Sequence, residues 1–527
     1  MMLYKKQLLE KVLKPIELAG GKAYFVGGCV RDYLIGKVPH DFDICTDLQP
    51  ADLRKVFSKF SNVSKNSEQF GVTMPLIQIN GKLEEIEIAT FRKDETKGRH
   101  PKVSLDATIE EDAARRDFTI NALYEDVRGE IYDPTGLGLQ DIRENKLRFV
   151  GSPKERLEED PLRAFRFVRF MAQKGFDSAH EESEIAEAVA HLDFSGVSKE
   201  RMLKEFKQII AGDFFTYKTP AFDMAFTSRV FEVVGLADVF RKMDEVEQAF
   251  RWHAEGGVFE KDGKKFIVDR RDIDLSGCTP IQHGTVLMHT FLTFEAMKEI
   301  ISKQKGFEDE FCHIAVPFED EETKFLLSLG ALLHDIGKAH CGHQGTRTKS
   351  FIWEGKEIEE ECPVVFEHPQ TGIEPAAAFC KALRMSNEET HVICSIVAHH
   401  MEAHSLGEHK SLTEILDFVA HPHFKEIMCV GLADERGAVK LEGFDERGSI
   451  KDNLQQPLVQ KALAIFEKGM PEPILKGSDL IAKGRKPGPL FKKMLDTARK
   501  IQIDQGITDK DELFKMVKNV KLNKEGK

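Results

Sequence analysis

Two aspartates one residue apart, Asp41 and Asp43, stand a short distance after a glycine pair, Gly27-Gly28. The apolar run Ala23-Tyr24-Phe25-Val26 reads as a buried strand that ends at those glycines, where the backbone can turn sharply without steric cost. Backbone N–H groups exposed at such a turn, that of Gly28 among them, suit the oxygens of a triphosphate. Asp41 and Asp43 straddle Phe42, so in a strand both carboxylates lie on one face of the sheet. Carboxylates so placed repel each other unless a cation lies between them. A divalent metal beside a triphosphate points to phosphoryl or nucleotidyl transfer.

Further candidates follow along the chain. Glu87, in Ile86-Glu87-Ile88-Ala89, offers a third carboxylate if its strand neighbours that of the aspartates; it would hold metal or help deprotonate an attacking hydroxyl, or be a cross-strand charge and nothing more. The segment Arg115-Arg116-Asp117-Phe118-Thr119-Ile120-Asn121 brings two guanidiniums and an amide to an apolar strand, where arginine pairs forkwise with phosphate oxygens and Asn121 reaches a sugar or phosphate. In Glu159-Asp160-Pro161-Leu162-Arg163-Ala164-Phe165-Arg166, Asp160 is suited to cap a helix that opens at Pro161. Asp160 and Arg163, three apart, share a helix face. One acceptor beside several donors matches the base edges of C and A, whose exocyclic amines donate, and rejects G and U.

These residues need an α/β frame followed by helices. Strand candidates fall at 23–27, 41–45, 72–79, 84–91 and 121–126, the pattern of an α+β catalytic head. From Pro153 onward amphipathic helical patterns dominate. A polar, glycine-containing stretch at 255–283 reads as an insertion or linker, and 285–440 as helical and histidine-rich. The expected division is a head over 1–145, a helical neck over 146–210, a helical body over 211–445 and a basic tail over 446–527. With 527 residues, several domains are expected. Nine cysteines without a Cys-x-x-Cys pair suggest reduced thiols and a cytoplasmic location. No apolar run suits a bilayer, so no membrane partner is expected, and no obligate protein partner is inferred. The net charge of −13 argues against indiscriminate coating of nucleic acid. Lys476, Lys483, Arg485, Lys486, Lys492, Lys493, Arg499 and Lys500 nevertheless make one locally basic stretch, suited to a phosphate backbone or simply to water.

Taken in order, Gly27-Gly28-x-Val30-Arg31-Asp32 with Asp41-x-Asp43, Arg115-Arg116-Asp117-Phe118-Thr119-x-Asn121-Ala122, Asp133 with Gly136, Glu159-Asp160-x-x-Arg163 and Ser198-Lys199-Glu200-Arg201 resemble the five motifs of class II tRNA nucleotidyltransferases, the CCA-adding enzymes of the polymerase-beta-like superfamily. The resemblance covers roughly residues 20–210. It implies that Asp41 and Asp43 hold two Mg²⁺ ions with Glu87 as the third acid. It also implies that Gly28, Arg31, Arg115, Arg116, Asn121, Arg166 and Arg169 bind nucleotide, and that Asp160 and Arg163 select CTP, then ATP, for addition to tRNA. Residues 92–112 correspond to a loop implicated in the switch from C to A. Relatives with another product, a poly(A) polymerase or an enzyme adding only CC or only A, share the same head.

Leu332-Leu333-His334-Asp335-Ile336-Gly337-Lys338 resembles the HD superfamily of metal-dependent phosphohydrolases. Neutral imidazole and carboxylate suit a first-row divalent ion, and the second divalent metal is expected to be Mn, Ni, Fe, Co or else Mg. The resemblance implies an upstream His and a downstream Asp, places filled by His289 and Asp434, with His283 or His253 as alternatives for the first. His368, His399 and His400 become outer groups or ligands of a second metal, Lys338 meets a phosphate, and His340 and His343 read as surface residues. The implied activity is a 2′,3′-cyclic phosphodiesterase or phosphatase. A third reading is a phosphohydrolase whose head is a passive RNA-binding module.

Overall fold

The computed structural model of the chain describes all residues except 1, 40, 59–70, 96–102, 213–224, 252–255, 262–263, 270–280, 303–319, 342–343, 354–355, 408–409, 438–449 and 521–527. Two compact units, Met1–Ala237 and Asp238–Lys527, are described separately.

The first unit is built on a six-stranded sheet. Its strands are β1 (Ala23–Val26), β2 (Asp43–Thr46), β3 (Val72–Thr73), β4 (Ile88–Thr90), β5 (Tyr124–Glu125) and β6 (Ile131–Tyr132), in the order β6-β5-β1-β2-β4-β3. Every residue of β1 is buried, as an unbroken apolar run requires when both faces of a strand are covered. Register sets the site. Val26 pairs antiparallel with Asp43, and Ile44 pairs parallel with Ile88, so the turn after Val26, Asp43 and Glu87 come to one edge. Beneath the sheet pack Leu13, Phe25, Val30, Ile44 and Ile88, while Phe42 covers their margin.

Two strand expectations change. Residues 72–79 divide at Met74-Pro75, because Pro75 has no N–H for the ladder; Leu76–Ile79 instead pairs with Lys82–Glu85 as a separate hairpin. Asp41 precedes β2 and Glu87 precedes β4, so neither acid is within its strand.

Helices complete the unit. Those that bear on the site are α1 (Gly28–Leu34), α2 (Ile109–Ala114), α3 (Pro153–Glu159), α4 (Leu162–Lys174) and α5 (Lys199–Ala211). In α4, Leu162, Phe165, Val168 and Met171 are buried, whereas Arg163, Arg166 and Arg169 recur every third residue along a half-buried face.

The second unit is mainly helical. Its helices include α6 (Val286–Ser302), α7 (Glu321–Leu333), α8 (Ile373–Ala382), α9 (Asn387–His404), α10 (Leu412–Val419), α11 (Phe424–Gly437) and α12 (Pro489–Gln505). Met297, Ile300, Leu327, Ile396, Met428 and Val430 interlock α6, α7, α9 and α11 in one apolar core. The expected linker at 255–283 contains strands instead: Gly256–Lys261 pairs with Lys264–Asp269, and Ile281–Thr285 pairs with Glu247–Arg251. A second departure interrupts the helical stretch, where Gln344–Trp353 and Lys356–Val365 form a ten-residue antiparallel ribbon. Among the described residues no helix is long and apolar enough to cross a membrane.

The basic stretch near the C-terminus is partly neutralised. Lys483 pairs with Asp511, Arg499 with Asp417 and Lys500 with Glu414, and Arg485 donates to the Lys518 carbonyl. The surface it offers to a polyanion is smaller than its composition suggests.

Candidate active sites

In the first unit the glycine turn does two things. Gly27 adopts φ 75°, open to glycine at no steric cost. Any Cβ there would also stand 3.4 Å from Arg116 Nη1 and 3.8 Å from Asp43 Oδ2, the space where guanidinium and carboxylate approach the backbone. Asp43 faces water on one side and packed protein on the other. Burial, opposed by Arg116 and reinforced by Asp41, raises its carboxyl above the usual range. Glu87 is raised by burial and then by Asp43. Three acids therefore converge on one open edge, two of them held at a cost that a bound cation would relieve. This donor set of carboxylate oxygens fits Mg²⁺.

The arginines around this edge are braced from behind. Thr108 and Glu111 form a capping box that starts α2. That helix delivers Asp112, whose buried carboxylate accepts from Arg115 at 2.7 Å, Arg116 at 3.1 Å and the Tyr124 hydroxyl at 2.8 Å. Burial works against the Asp112 charge, yet Arg116 and Arg115 hold its pKa below the ordinary value. A second buried acid, Asp117, accepts from Asn121 Nδ2 at 3.0 Å and pairs with Arg166 at 2.7 Å. Arg31 pairs with Asp32 at 2.8 Å, lies over the Phe170 ring and donates to Asn121 Oδ1. Arg31, Asn121, Asp117 and Arg166 thus form one continuous chain. Asp112, Asp117 and Tyr124 were not among the residues expected to matter. Their signal was weak: acids beside arginines read as surface salt bridges until burial is known.

Asp160 ends α3 and its Oδ1 accepts the Leu162 N–H at 3.2 Å, the expected cap. Its Oδ2 pairs with Arg201 from α5 at 3.1 Å. Arg163 is turned to other partners, Glu159 at 2.7 Å and the carbonyls of Arg156 and Arg115. Asp160 and Arg163 are therefore each braced from a different side, Asp160 by Arg201 and Arg163 by Glu159. Arg169 lies over Phe170 and pairs with Glu205 at 2.8 Å. Within residues 92–112, positions 96–102 lie outside the described residues.

The second unit buries a cluster of imidazoles around one carboxylate. Asp335 Oδ2 lies 3.3 Å from His334 Nε2 and 3.6 Å from His289 Nε2; its Oδ1 lies 3.2 Å from His368 Nε2 and 3.6 Å from His400 Nε2. His289 Nε2 is also 2.9 Å from Asp434 Oδ1. Tautomers decide what the cluster can do. Nδ1 of His334, His368 and His400 each meets the carbonyl three residues earlier, at 2.9, 2.9 and 3.0 Å. As neutral rings they carry their protons there, which leaves the Nε2 lone pairs pointing inward. His368 Nε2 and His400 Nε2 then stand 3.3 Å apart with no proton between them, and Asp335 Oδ1 accepts no hydrogen bond. Two imidazoles on a tetrahedral ion at 2.0–2.1 Å are about 3.3 Å apart. The donors form two groups that would each hold a divalent ion, His289, His334 and Asp335 in one and Asp335, His368 and His400 in the other.

Electrostatics agree. Burial works against the Asp335 carboxylate, but Lys338, 2.5 Å away, and His334 hold it well below the usual range. Asp434 is likewise held low against burial by His404 and His289. Burial pushes His400 down to about 4, so it stays an unprotonated donor at neutral pH. His404, one turn beyond His400 and 2.8 Å from Asp434 Oδ2, was missed by sequence reasoning, although its i, i+4 spacing was visible. His399 is set apart, bonded to Glu402 at 2.6 Å. His253 and the His283 side chain lie outside the described residues; His289 is in the cluster.

A close backbone approach holds the halves together. A Cβ on Gly337 would overlap the His368 carbonyl. Gly337→Ala is therefore expected to push His368 away and to lower metal content by one ion per chain, measured by elemental analysis.

Residues 23–148 match the family described as the poly A polymerase head domain, and residues 286–434 match the HD domain. Over these two segments the chain is similar to a poly A polymerase head and to an HD domain. The HD match begins three residues before His289 and closes on Asp434. A CCA-adding enzyme of Bacillus pumilus is 34% identical over 252 residues, 47% of this chain and 60% of the relative. The chain spans 49–60% of the length of the first curated relatives it matches. Fold likeness extends further. The Bacillus stearothermophilus CCA-adding enzyme in complex with CTP superposes with a TM-score of 0.58 at 21% identity, over 97% of this chain and 96% of that one. The Thermotoga maritima CCA-adding enzyme complexed with tRNA_CCA gives 0.51 at 15% identity, over 97% and 94%. At these identities the likeness is one of fold.

Proposed function

We propose that this chain adds C, C and A to the 3′ end of tRNA from CTP and ATP, and that its HD domain is a metal-dependent phosphohydrolase acting on a phosphoester such as a 2′,3′-cyclic phosphate. In this reading residues 1–145 transfer the nucleotide, 146–210 select it, 211–445 carry the HD centre and 446–527 contact tRNA. The observation that carries it is the convergence of Asp41, Asp43 and Glu87 on the edge where Arg116 and the Gly27 turn meet.

The reaction joins the tRNA 3′-oxygen to the α-phosphorus in line and expels pyrophosphate. Mg²⁺, when held by Asp41 and Asp43, supplies charge neutralisation and lowers the hydroxyl pKa. Arg116 and Arg31 face the triphosphate, Asn121 the sugar, and the Gly28 N–H a phosphate oxygen. The Asp112 and Asp117 carboxylates keep Arg116 and Arg166 extended, so little ordering remains when the nucleotide arrives. Asp160, braced by Arg201, accepts the exocyclic amine of C or A, with Arg163 donating to ring acceptors. No nucleic-acid template is required.

Asp160→Ala is expected to lower discrimination of CTP over UTP by about 10–100-fold, the value of a lost paired edge contact, while triphosphate binding persists. Arg201→Ala should act in the same direction and more weakly, since it removes a brace. Single-nucleotide incorporation with each of the four NTPs measures both, and unchanged selectivity in Asp160→Ala removes the template role.

The head family's description also fits a poly(A) polymerase. Counting residues added to tRNA ending at each stage of CCA separates the two, because CCA addition stops and poly(A) synthesis continues.

A further inference from the structure

Outside the HD centre the second unit carries another group of imidazoles, on the outer face of α9 and the turn between α10 and α11. His391 Nδ1 lies 2.9 Å from His423 Nε2, across two separate elements. The His423 ring stands beside that of His421, with centroids 5.8 Å apart, and His421 stands 5.1 Å from His399. Local bonds divide these four rings. His421 Nδ1 accepts the His423 backbone N–H at 3.1 Å, and His399 Nδ1 is bonded to Glu402. His391 and His423 are the two whose ring nitrogens face each other across the gap.

Their surroundings favour a cation. Glu388 precedes His391 by three residues in the first turn of α9, so these two share a helical face, and Glu426 lies in the first turn of α11, just after His423. Both carboxylates lie close enough to act on the His423 ring. Two imidazole nitrogens bound cis on a square-planar or octahedral ion at 2.0–2.1 Å stand about 2.9 Å apart. Modest rotation of both rings would direct the lone pairs to one ion instead of to each other.

We propose that His391 and His423, with Glu388 and Glu426 beside them, form a separate surface site for a late first-row divalent ion, Ni²⁺, Cu²⁺ or Zn²⁺. The two imidazole nitrogens are the ligands, which suits late first-row ions, and the two carboxylates add attracting charge from farther away. The site is independent of the HD centre, since α9 presents His400 inward and His391 outward.

The test is equilibrium dialysis of the full chain against Ni²⁺ alone. His391→Ala and His423→Ala should each remove the same one equivalent, weakening it at least tenfold, with CTP incorporation unchanged. Glu388→Gln combined with Glu426→Gln should weaken that equivalent a few-fold. Asp335→Asn should leave it in place while removing the HD equivalents. With Cu²⁺ bound to Asp335→Asn, the electron paramagnetic resonance spectrum should show two coordinated nitrogens, reduced to one when either histidine substitution is added. Unchanged nickel stoichiometry in both histidine variants overturns the proposal, as does loss of every nickel equivalent in Asp335→Asn.

Discussion

Asp43→Asn is expected to lower nucleotide incorporation by about a thousandfold or more, the several kcal/mol that metal-held charge neutralisation supplies, without lowering Tm. The charged Asp43 carboxylate is disfavoured in the fold, because burial and Asp41 outweigh Arg116. A carboxyl raised in this way binds more protons folded than unfolded, so metal-free stability rises as pH falls through its native pKa. Asn should remove that dependence and leave the metal-free protein as stable as wild type or more so. Mg²⁺ should then raise the Tm of wild type but not of the variant, since only a species that binds the native state shifts the equilibrium. Differential scanning calorimetry with and without Mg²⁺ reads both effects. A fall in Tm for Asp43→Asn without metal would mean that the carboxylate serves the fold.

Asp335→Asn is expected to cost both HD ions at once. Each oxygen of Asp335 faces a different imidazole pair, so a neutral amide weakens both halves. The affinity loss should exceed the roughly 10–100-fold typical of groups outside the ligand set. His368→Ala, by contrast, touches one half and should leave one ion per chain. Phosphoester hydrolysis should vanish in Asp335→Asn while tRNA extension persists. Elemental analysis counts the ions, and retention of a full complement in Asp335→Asn would contradict the place of Asp335 in both groups.

The parts legible in sequence are those whose chemistry is local. The apolar run before Gly27 and the cap at Asp160 each declare a backbone conformation within a few residues, and both occur as expected. What sequence did not show depends on distant partners. Pro75 divides a strand expected to be continuous, and strand pairing sends its second half to another hairpin. The ribbon at 344–365 carries strand-favouring residues, Thr346, Thr348, Phe351, Ile352 and Trp353, but no period-two alternation that would set it apart from its helical, histidine-rich context. Asp112 and Asp117 look like surface acids until the fold buries them beneath arginines. That both carboxylate oxygens of Asp335 face imidazoles was equally hidden, because His368 and His400 reach it from helices many residues downstream.

The most direct measurement is gel-resolved extension of tRNA lacking its 3′ end, with Mg²⁺ and each nucleoside triphosphate supplied separately and together. CTP alone should add two residues, CTP with ATP three and then stop, while GTP and UTP add none. A ladder that lengthens without limit in ATP, or RNA that never gains a residue under any combination, contradicts this account.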